Sequence, residues 1–146
     1  MQIEIVKSVT PDLVEAFARL LPQQSPGARH PTAEQLDAVI APPTNTLLIA
    51  RDAQGTIVGT LTLILMLTPG ATFGFVEDVV VDEAARGQGI GEALVRECQR
   101  IALEQGASRI ELHSGNHRQP AIRLYQRVGF KKFETNLWRY TPTPAS

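Results

Sequence analysis

Residues 76–94 read VEDVVVDEAARGQGIGEAL, and the fold turns on how that stretch is taken. Val79, Val80 and Val81 form an unbroken β-branched run, which suits a strand covered on both faces better than a half-exposed one. The run predicts a central strand. Arg86-Gly87-Gln88-Gly89-Ile90-Gly91 follows, with its glycines spaced by two where a helix has to begin. With no Cβ atoms in the way, successive backbone N–H groups can turn toward an anion, and the helix dipole adds positive potential there. The physical reading is a phosphate cradle; the competing one is a glycine-rich turn that merely joins strand to helix. A dinucleotide fingerprint is disfavoured because Glu92 stands where its third glycine or alanine belongs. A nucleotide-triphosphate loop is disfavoured because the chain contains no Gly-Lys-Ser/Thr.

Working outward toward the N-terminus, Thr46–Asp52 and Thr56–Thr68 read as strands joined at Asp52-Ala53-Gln54-Gly55, whose Asp and Gly suit a tight hairpin. Pro69-Gly70 ends the second, and Phe73–Asp82 completes an antiparallel meander. Gln2–Val6 alternates polar and apolar residues and reads as a first strand. Thr10 and Pro11 open a helix with Leu13, Phe17, Leu20 and Leu21 as its buried stripe, and Pro22 is expected to stop it. After a loop to Pro31, Thr32 and Gln35 form a capping box for a short helix ending near Ile40. Toward the C-terminus, a helix from near Gly89 carries Ile90, Leu94, Cys98 and Ile101 on one stripe and closes at Gln105-Gly106. Arg109–Ser114 then returns as a strand parallel to the central one through a right-handed crossover.

Composition narrows the classes. At 146 residues the chain fits one domain and can bury a substantial core, since domains of about 150 residues hide roughly 70% of their unfolded surface. Residues 1–146 are read as a single domain with 141–146 as a flexible tail. The net charge is −1, from 14 basic and 15 acidic residues, which removes any whole-chain electrostatic argument for nucleic acid or an anionic membrane. Cys98 is the only cysteine, so no intramolecular disulfide forms, and a reducing, cytoplasmic location is expected. Met1-Gln2-Ile3-Glu4 is not expected to begin a signal peptide, and the longest apolar run, Leu61–Leu67, is far short of a membrane span.

The glycine loop resembles the pyrophosphate-binding motif of the GCN5-related N-acetyltransferases (GNAT), Gln/Arg-x-x-Gly-x-Gly/Ala after a central strand, with Arg86, Gly89 and Gly91 at the defined positions. RIELHS at 109–114 and AIRLYQRVGF at 121–130 extend the resemblance, with Tyr125 at the family's usual tyrosine and Gly129-Phe130 as its ending. The resemblance implies an α/β (α+β) fold: a mostly antiparallel sheet of six or seven strands, a central splayed parallel pair, about four helices, and one or two last strands from Lys131–Tyr140. It implies acetyl-CoA as cosubstrate, with no metal. The pantetheine arm would pair with backbone groups of the Val79-Val80-Val81 run, chiefly Val79 and Val81. The diphosphate would sit on Gly87, Gln88, Gly89, Ile90 and Gly91, with charge from Arg86.

Acyl transfer from a thioester to an amine needs a base for the amine, a donor for the carbonyl oxygen and a proton for the departing thiolate. By resemblance Tyr125 is the candidate acid. Glu77 is the leading candidate base, where the family often bulges its central strand, and His113 the second, with an imidazole of suitable ordinary pKa. Regular pairing would point Asp78 to the opposite face. The family's pantetheine-contacting asparagine is replaced by Arg118, so Asn116 is the candidate substitute. Arg29 and His30 lie in the loop that borders the acceptor in the resembling family, although such residues are usually just solvated. Cys98, on the helix stripe, is read as a core residue. The stretch from Glu77 through the glycines is also similar to that of glucosamine-6-phosphate N-acetyltransferases, which makes an amino-sugar phosphate one acceptor candidate, with Arg109, Arg118 and Arg123 as candidate phosphate contacts. Peptides, amino acids, polyamines and aminoglycosides stay open. The reading is thus an N-acetyltransferase acting on a primary amine of a small molecule or peptide, with a homodimer admitted; the alternative is a non-enzymatic acetyl-CoA sensor or interaction module.

Overall fold

The computed structural model describes residues 1–115 and 117–144. The order of elements is β1 (Gln2–Ile5), α1 (Pro11–Gln24), α2 (Ala33–Ile40), β2 (Asn45–Arg51), β3 (Ile57–Leu67), β4 (Thr72–Val81), a 3-10 turn (Glu83–Ala85), α3 (Ile90–Glu104), β5 (Ile110–Glu111) and α4 (Gln119–Arg127). The strands form one sheet in the order β1-β2-β3-β4-β5. Neighbours are antiparallel except β4 and β5, which are parallel.

Local chemistry explains most of these elements. The Asp52 carboxylate accepts the N–H groups of Gln54 and Thr56, both at 2.9 Å, and Gly55 takes φ +83° to close the β2–β3 hairpin. Thr32 and Gln35 exchange capping-box bonds at 3.1 and 3.0 Å and start α2. Helix α1 does not stop at Pro22 but runs on to Gln24. Pro22 costs the helix one backbone bond, yet the last turn continues past it and closes with Ser25 N–H on the Leu21 carbonyl at 3.1 Å.

The sheet is covered on both faces. Leu47 and Ile49 of β2 pack with Leu13, Phe17 and Leu20 of α1 and Leu36 of α2. The alternate residues Leu48 and Ala50 pack with Leu94, Val95 and Cys98 of α3, as the period of two in a strand requires. Gly59 admits α3 at close range, because a Cβ there would lie 3.1 Å from side-chain atoms of Ile90 and Leu94. Cys98 is fully buried, and burial pushes its thiol up to about 12, which fits a core residue. Among the described residues no helix is long and apolar enough to cross a membrane.

Two features depart from the sequence reading. The sheet has five strands among the described residues rather than six or seven, because Lys131–Tyr140 forms no strand and stays exposed. The returning strand β5 is two residues long, where Arg109–Ser114 was expected.

Candidate active site

The site is organised by an irregularity in β4. Thr62 of β3 faces Glu77 and Thr60 faces Val80, so a single residue, Leu61, stands opposite both Asp78 and Val79. This is a β-bulge, and Asp78 absorbs it with φ +52°, the only positive φ outside glycine among the described residues. The extra residue inverts the alternation: Val76 lies in the α3 core, yet Val80, four residues on, lies in the α1–α2 core. Val79 and Val81 therefore turn their side chains to the α3 side.

The same half of β4 is open along one edge. Its pairing with β5 is confined to Gly74 with Ile110 and Phe75 with Glu111, and beyond it the two strands diverge. On the other edge, Asp82 N–H donates to the Val58 carbonyl at 2.8 Å. By the alternation of an antiparallel ladder, Val80 bonds toward β3 and the backbone groups of Val81 face the gap. The Val81 carbonyl accepts from Arg86 Nε at 3.2 Å.

The gap is a cleft of about 460 Å³. It brings together Glu77, Val79, Val80, Val81, Arg86 and Gly91 with His113 and Tyr125, which the sequence reading takes from separate segments, and adds Asp78, which that reading turns to the opposite face. Gly87 and Gly89 sit at φ +80° and +79°, with nothing within 4 Å of the place a Cβ would occupy. Their backbone is open, and Gly89 caps α3 without a side chain, leaving the first-turn amides undirected by any cap. Gly91 serves a different purpose: a Cβ there would meet Leu124 of α4 at 3.1 Å. Ile90 puts its side chain into the core, so only its backbone is available to a ligand. Asn116 lies outside the described residues.

Burial, charge and ring packing define the cleft. Burial raises the Tyr125 phenol above its ordinary pKa and the positive charge of Arg118 partly offsets this, so the hydroxyl holds its proton at neutral pH. Burial likewise raises the Asp78 carboxyl, opposed by Arg29 from the loop after α1. His113 packs edge-on against Phe75, ring centroids 5.1 Å apart. The Ser114 hydroxyl is buried in the wall with no hydrogen-bond partner among the described residues.

Arg118, at the family's asparagine position, donates to the Gln24 carbonyl at 2.9 Å and so ties the end of α1 to the start of α4 across the cleft. Gln23 and Gln24, both past Pro22, line the cleft, and the Gln23 side chain accepts Glu83 N–H at 2.9 Å. Arg19 holds Asp82 and the Ile57 carbonyl, the latter at 2.9 Å. The acidic pair Asp82-Glu83 thus anchors the turn before the glycine loop. Of the other arginines, Arg109 lies over the Phe73 ring at 4.1 Å and pairs with Glu111, and Arg123 does not line the cleft. Sequence reading turned Asp78 away from the cleft and named Arg118 only among three candidate phosphate contacts, without its tie to α1. The bulge that aims Asp78 depends on the β3 register, and the Arg118 contact depends on α1 outlasting its proline.

Comparison with known proteins agrees with this geometry. The model of the acetyltransferase (GNAT) family matches residues 10–130. A glucosamine 6-phosphate N-acetyltransferase of Trypanosoma brucei brucei is 32% identical over 97 residues, 63% of this chain and 63% of that protein. The chain spans less than two thirds of the length of the curated relatives it matches first, down to 20% for one of them. Among solved structures, a transcriptional regulator from Bacillus halodurans C-125 superposes with TM-score 0.77 at 27% identity, covering 96% of this chain and 100% of that one. The glucosamine-6-phosphate N-acetyltransferase of Arabidopsis thaliana superposes with TM-score 0.78 at 19% identity, covering 97% and 100%, a likeness of fold.

Proposed function

The chain belongs to the GNAT family of acetyltransferases, and from that membership we propose that it moves an acetyl group from acetyl-CoA to a primary amine of a small molecule or peptide, by direct attack in a ternary complex. One observation carries the reading: the diverging strands β4 and β5 enclose a cleft that gathers Glu77, Val79–Val81, Arg86, His113 and Tyr125 around a single opening. The chain's own groups fit the cosubstrate. The free backbone edge at Val79 and Val81 suits the amides of a pantetheine arm, as an added strand would. The open backbone of Gly87–Gly91 at the start of α3 suits a diphosphate, and Arg86 supplies charge once released from the Val81 carbonyl. Bound acetyl-CoA supplies the activated acyl group.

The remaining steps fall to side chains. Glu77, or His113 in its place, takes the proton of the acceptor amine directly or through water. Tyr125, kept protonated by burial, returns a proton to the departing thiolate. Asp78, aimed into the cleft by the bulge, gives a second carboxylate for an ammonium group before it is deprotonated. Separate pH–rate profiles of Glu77→Gln and His113→Ala identify the base, since the true base's limb disappears.

An amino-sugar phosphate is the acceptor with most support. It rests on the relative named for glucosamine 6-phosphate and on Arg118, the one of the three candidate arginines that lines the cleft. The setting proposed is a reducing cytoplasm, in keeping with a single buried cysteine. The structural likeness to a transcriptional regulator favours a second reading, a module that binds acetyl-CoA and reports its level.

Release of coenzyme A thiol across a panel of amines, with an amine-free control, tests the proposal. The expected result is acceptor-dependent release that is strongest for an amino-sugar phosphate. Silence across the panel with a raised melting temperature in acetyl-CoA supports the sensor, and absence of binding overturns both readings.

A further inference from the structure

Among the described residues, the Ser114 hydroxyl is the one buried side-chain oxygen or nitrogen with no hydrogen-bond partner. A buried polar group left unpaired costs stability and calls for a reason. Ser114 also lines the cleft, and it lies beyond the two residues of β5, so no sheet ladder holds it there. A serine hydroxyl moves between staggered positions by one torsion, and it both donates and accepts. Tucked away unpaired, it gains from any acceptor that enters the cleft within its reach.

Strand register sets its level in the cleft. Gly74 pairs with Ile110 and Phe75 with Glu111, and the same pace carried onward brings Ser114 level with Asp78, at the bulge. A pantetheine arm laid from the glycine loop along Val81 and then Val79 ends at that level, which is where the thioester falls. Alternation sets the side. Ile110 and Leu112 pack on the α3 cluster, as Tyr125 does, and the period they keep puts Ser114 on that side too. His113 stands on the other side, against Phe75, and Glu77 joins it there as the neighbour of core residue Val76. The two candidate bases thus share one side of the gap, and the two hydroxyls share the other.

Acetyl transfer has one need that no residue above fills. The amine has a candidate base and the thiolate a candidate acid, but the carbonyl oxygen also requires a donor as it gains charge. We propose, resting on the acetyl transfer proposed for this cleft, that the Ser114 hydroxyl turns into the gap and donates a hydrogen bond to the thioester carbonyl oxygen. That oxygen is the better acceptor, because a thioether-like sulfur accepts only weakly, so Ser114 serves the oxygen and Tyr125 the sulfur. As the amine nitrogen bonds to the carbonyl carbon, the C=O π pair moves onto the oxygen and the Ser114 hydrogen bond strengthens. The pair returns as the C–S bond breaks and its electrons leave on sulfur. Tyr125 protonates that sulfur, Glu77 or His113 takes the amine proton, and Ser114 keeps its own proton throughout.

Infrared difference spectra of the full chain with acetyl-CoA isotope-labelled at the carbonyl test this without an acceptor. Ser114→Ala is expected to move the bound carbonyl band up in frequency, as loss of a hydrogen bond requires, and Ser114→Thr to keep it near the parent's. With an accepting amine, Ser114→Ala is expected to lose ~10²–10³ in kcat, the usual worth of one such donor, at unchanged KM for acetyl-CoA. Without ligand it is expected to melt no lower than the parent, because the hydroxyl it lacks has no partner to lose. A carbonyl band or a kcat that Ser114→Ala leaves in place overturns the inference. So does an unligated Ser114→Ala chain that melts well below the parent, which would make the hydroxyl structural. A parent chain whose melting temperature acetyl-CoA does not raise overturns the acetyl-transfer reading itself, and this inference with it.

Discussion

Helices α3 and α4 pack against the same apolar cluster, yet they are anchored very differently. α3 buries Ile90, Leu94, Val95, Cys98, Ile101 and Ala102, whereas α4 buries nothing and touches the cluster through Leu124 and Tyr125. The two are joined at their cleft ends, where Gly91 of α3 lets Leu124 come close and Glu92 pairs with Arg127. Arg127 is the first cause and Arg96 the second of the lowered Glu92 pKa. The contrast separates two tasks. The helix that presents the glycine loop is fixed by the core, so its backbone donors keep their places, while the helix that carries Tyr125 is held by its neighbours across the cleft and is the part that a ligand can tighten.

The strongest test of this division is Tyr125→Phe. Turnover is expected to fall by ~10²–10⁴, the usual worth of a positioned acid, with acetyl-CoA affinity by calorimetry and melting temperature little changed. Unaltered turnover would remove Tyr125 from the chemistry. The next largest effect is on stability. Leu94→Ala on α3 is expected to cost about 2–5 kcal/mol in urea unfolding, and Leu124→Ala on α4 less than half of that. Equal losses would mean that α4 is as firmly packed as α3.

A smaller loss is expected of Gly89→Ala. Its φ of +79° disfavours any Cβ by about 1–2 kcal/mol, and with nothing within 4 Å the cost is backbone strain without a clash. Weaker acetyl-CoA binding should accompany it; a fully stable variant would show that the loop relaxes freely.

The smallest effect concerns Asp78. Its folded pKa is raised by burial, so the stability it contributes is present below its unfolded value of about 3.9 and is lost as pH rises through the folded value. Asp78→Asn should therefore melt slightly higher than the parent at neutral pH and alike in acid, while losing acceptor affinity. A melting difference independent of pH would contradict the assignment.

The more rigid region was also the more legible one. The valine run, the glycines and the stripe Ile90, Leu94, Cys98 and Ile101 are local patterns, and the structure reproduces them as β4, loop and α3 because local preference and burial agree there. Tyr125 was legible through resemblance and not through periodicity, since α4 has an apolar side but no buried residue. The features that escaped depend on distant partners. Helix α1 runs past Pro22 to Gln24, whose terminal carbonyl is taken by Arg118 from a segment 94 residues away. Asp78 faces the cleft because β3 and β4 slip by one residue, which no sequence spacing within β4 reveals. Lys131–Tyr140 has strand-forming residues yet leaves the outer edge of β5 unpaired among the described residues, so the strand count implied by resemblance was too high.

The central claim is that the gap between β4 and β5 is the acetyl-CoA site, and a crystal structure of the chain with acetyl-CoA tests it most directly. The account predicts pantetheine amides paired with Val79 and Val81, Arg86 withdrawn from the Val81 carbonyl it now binds at 3.2 Å, and the diphosphate on the amides of Gly87–Gly91. A cosubstrate bound anywhere else, or an Arg86–Val81 bond left intact beside an empty gap, would contradict it.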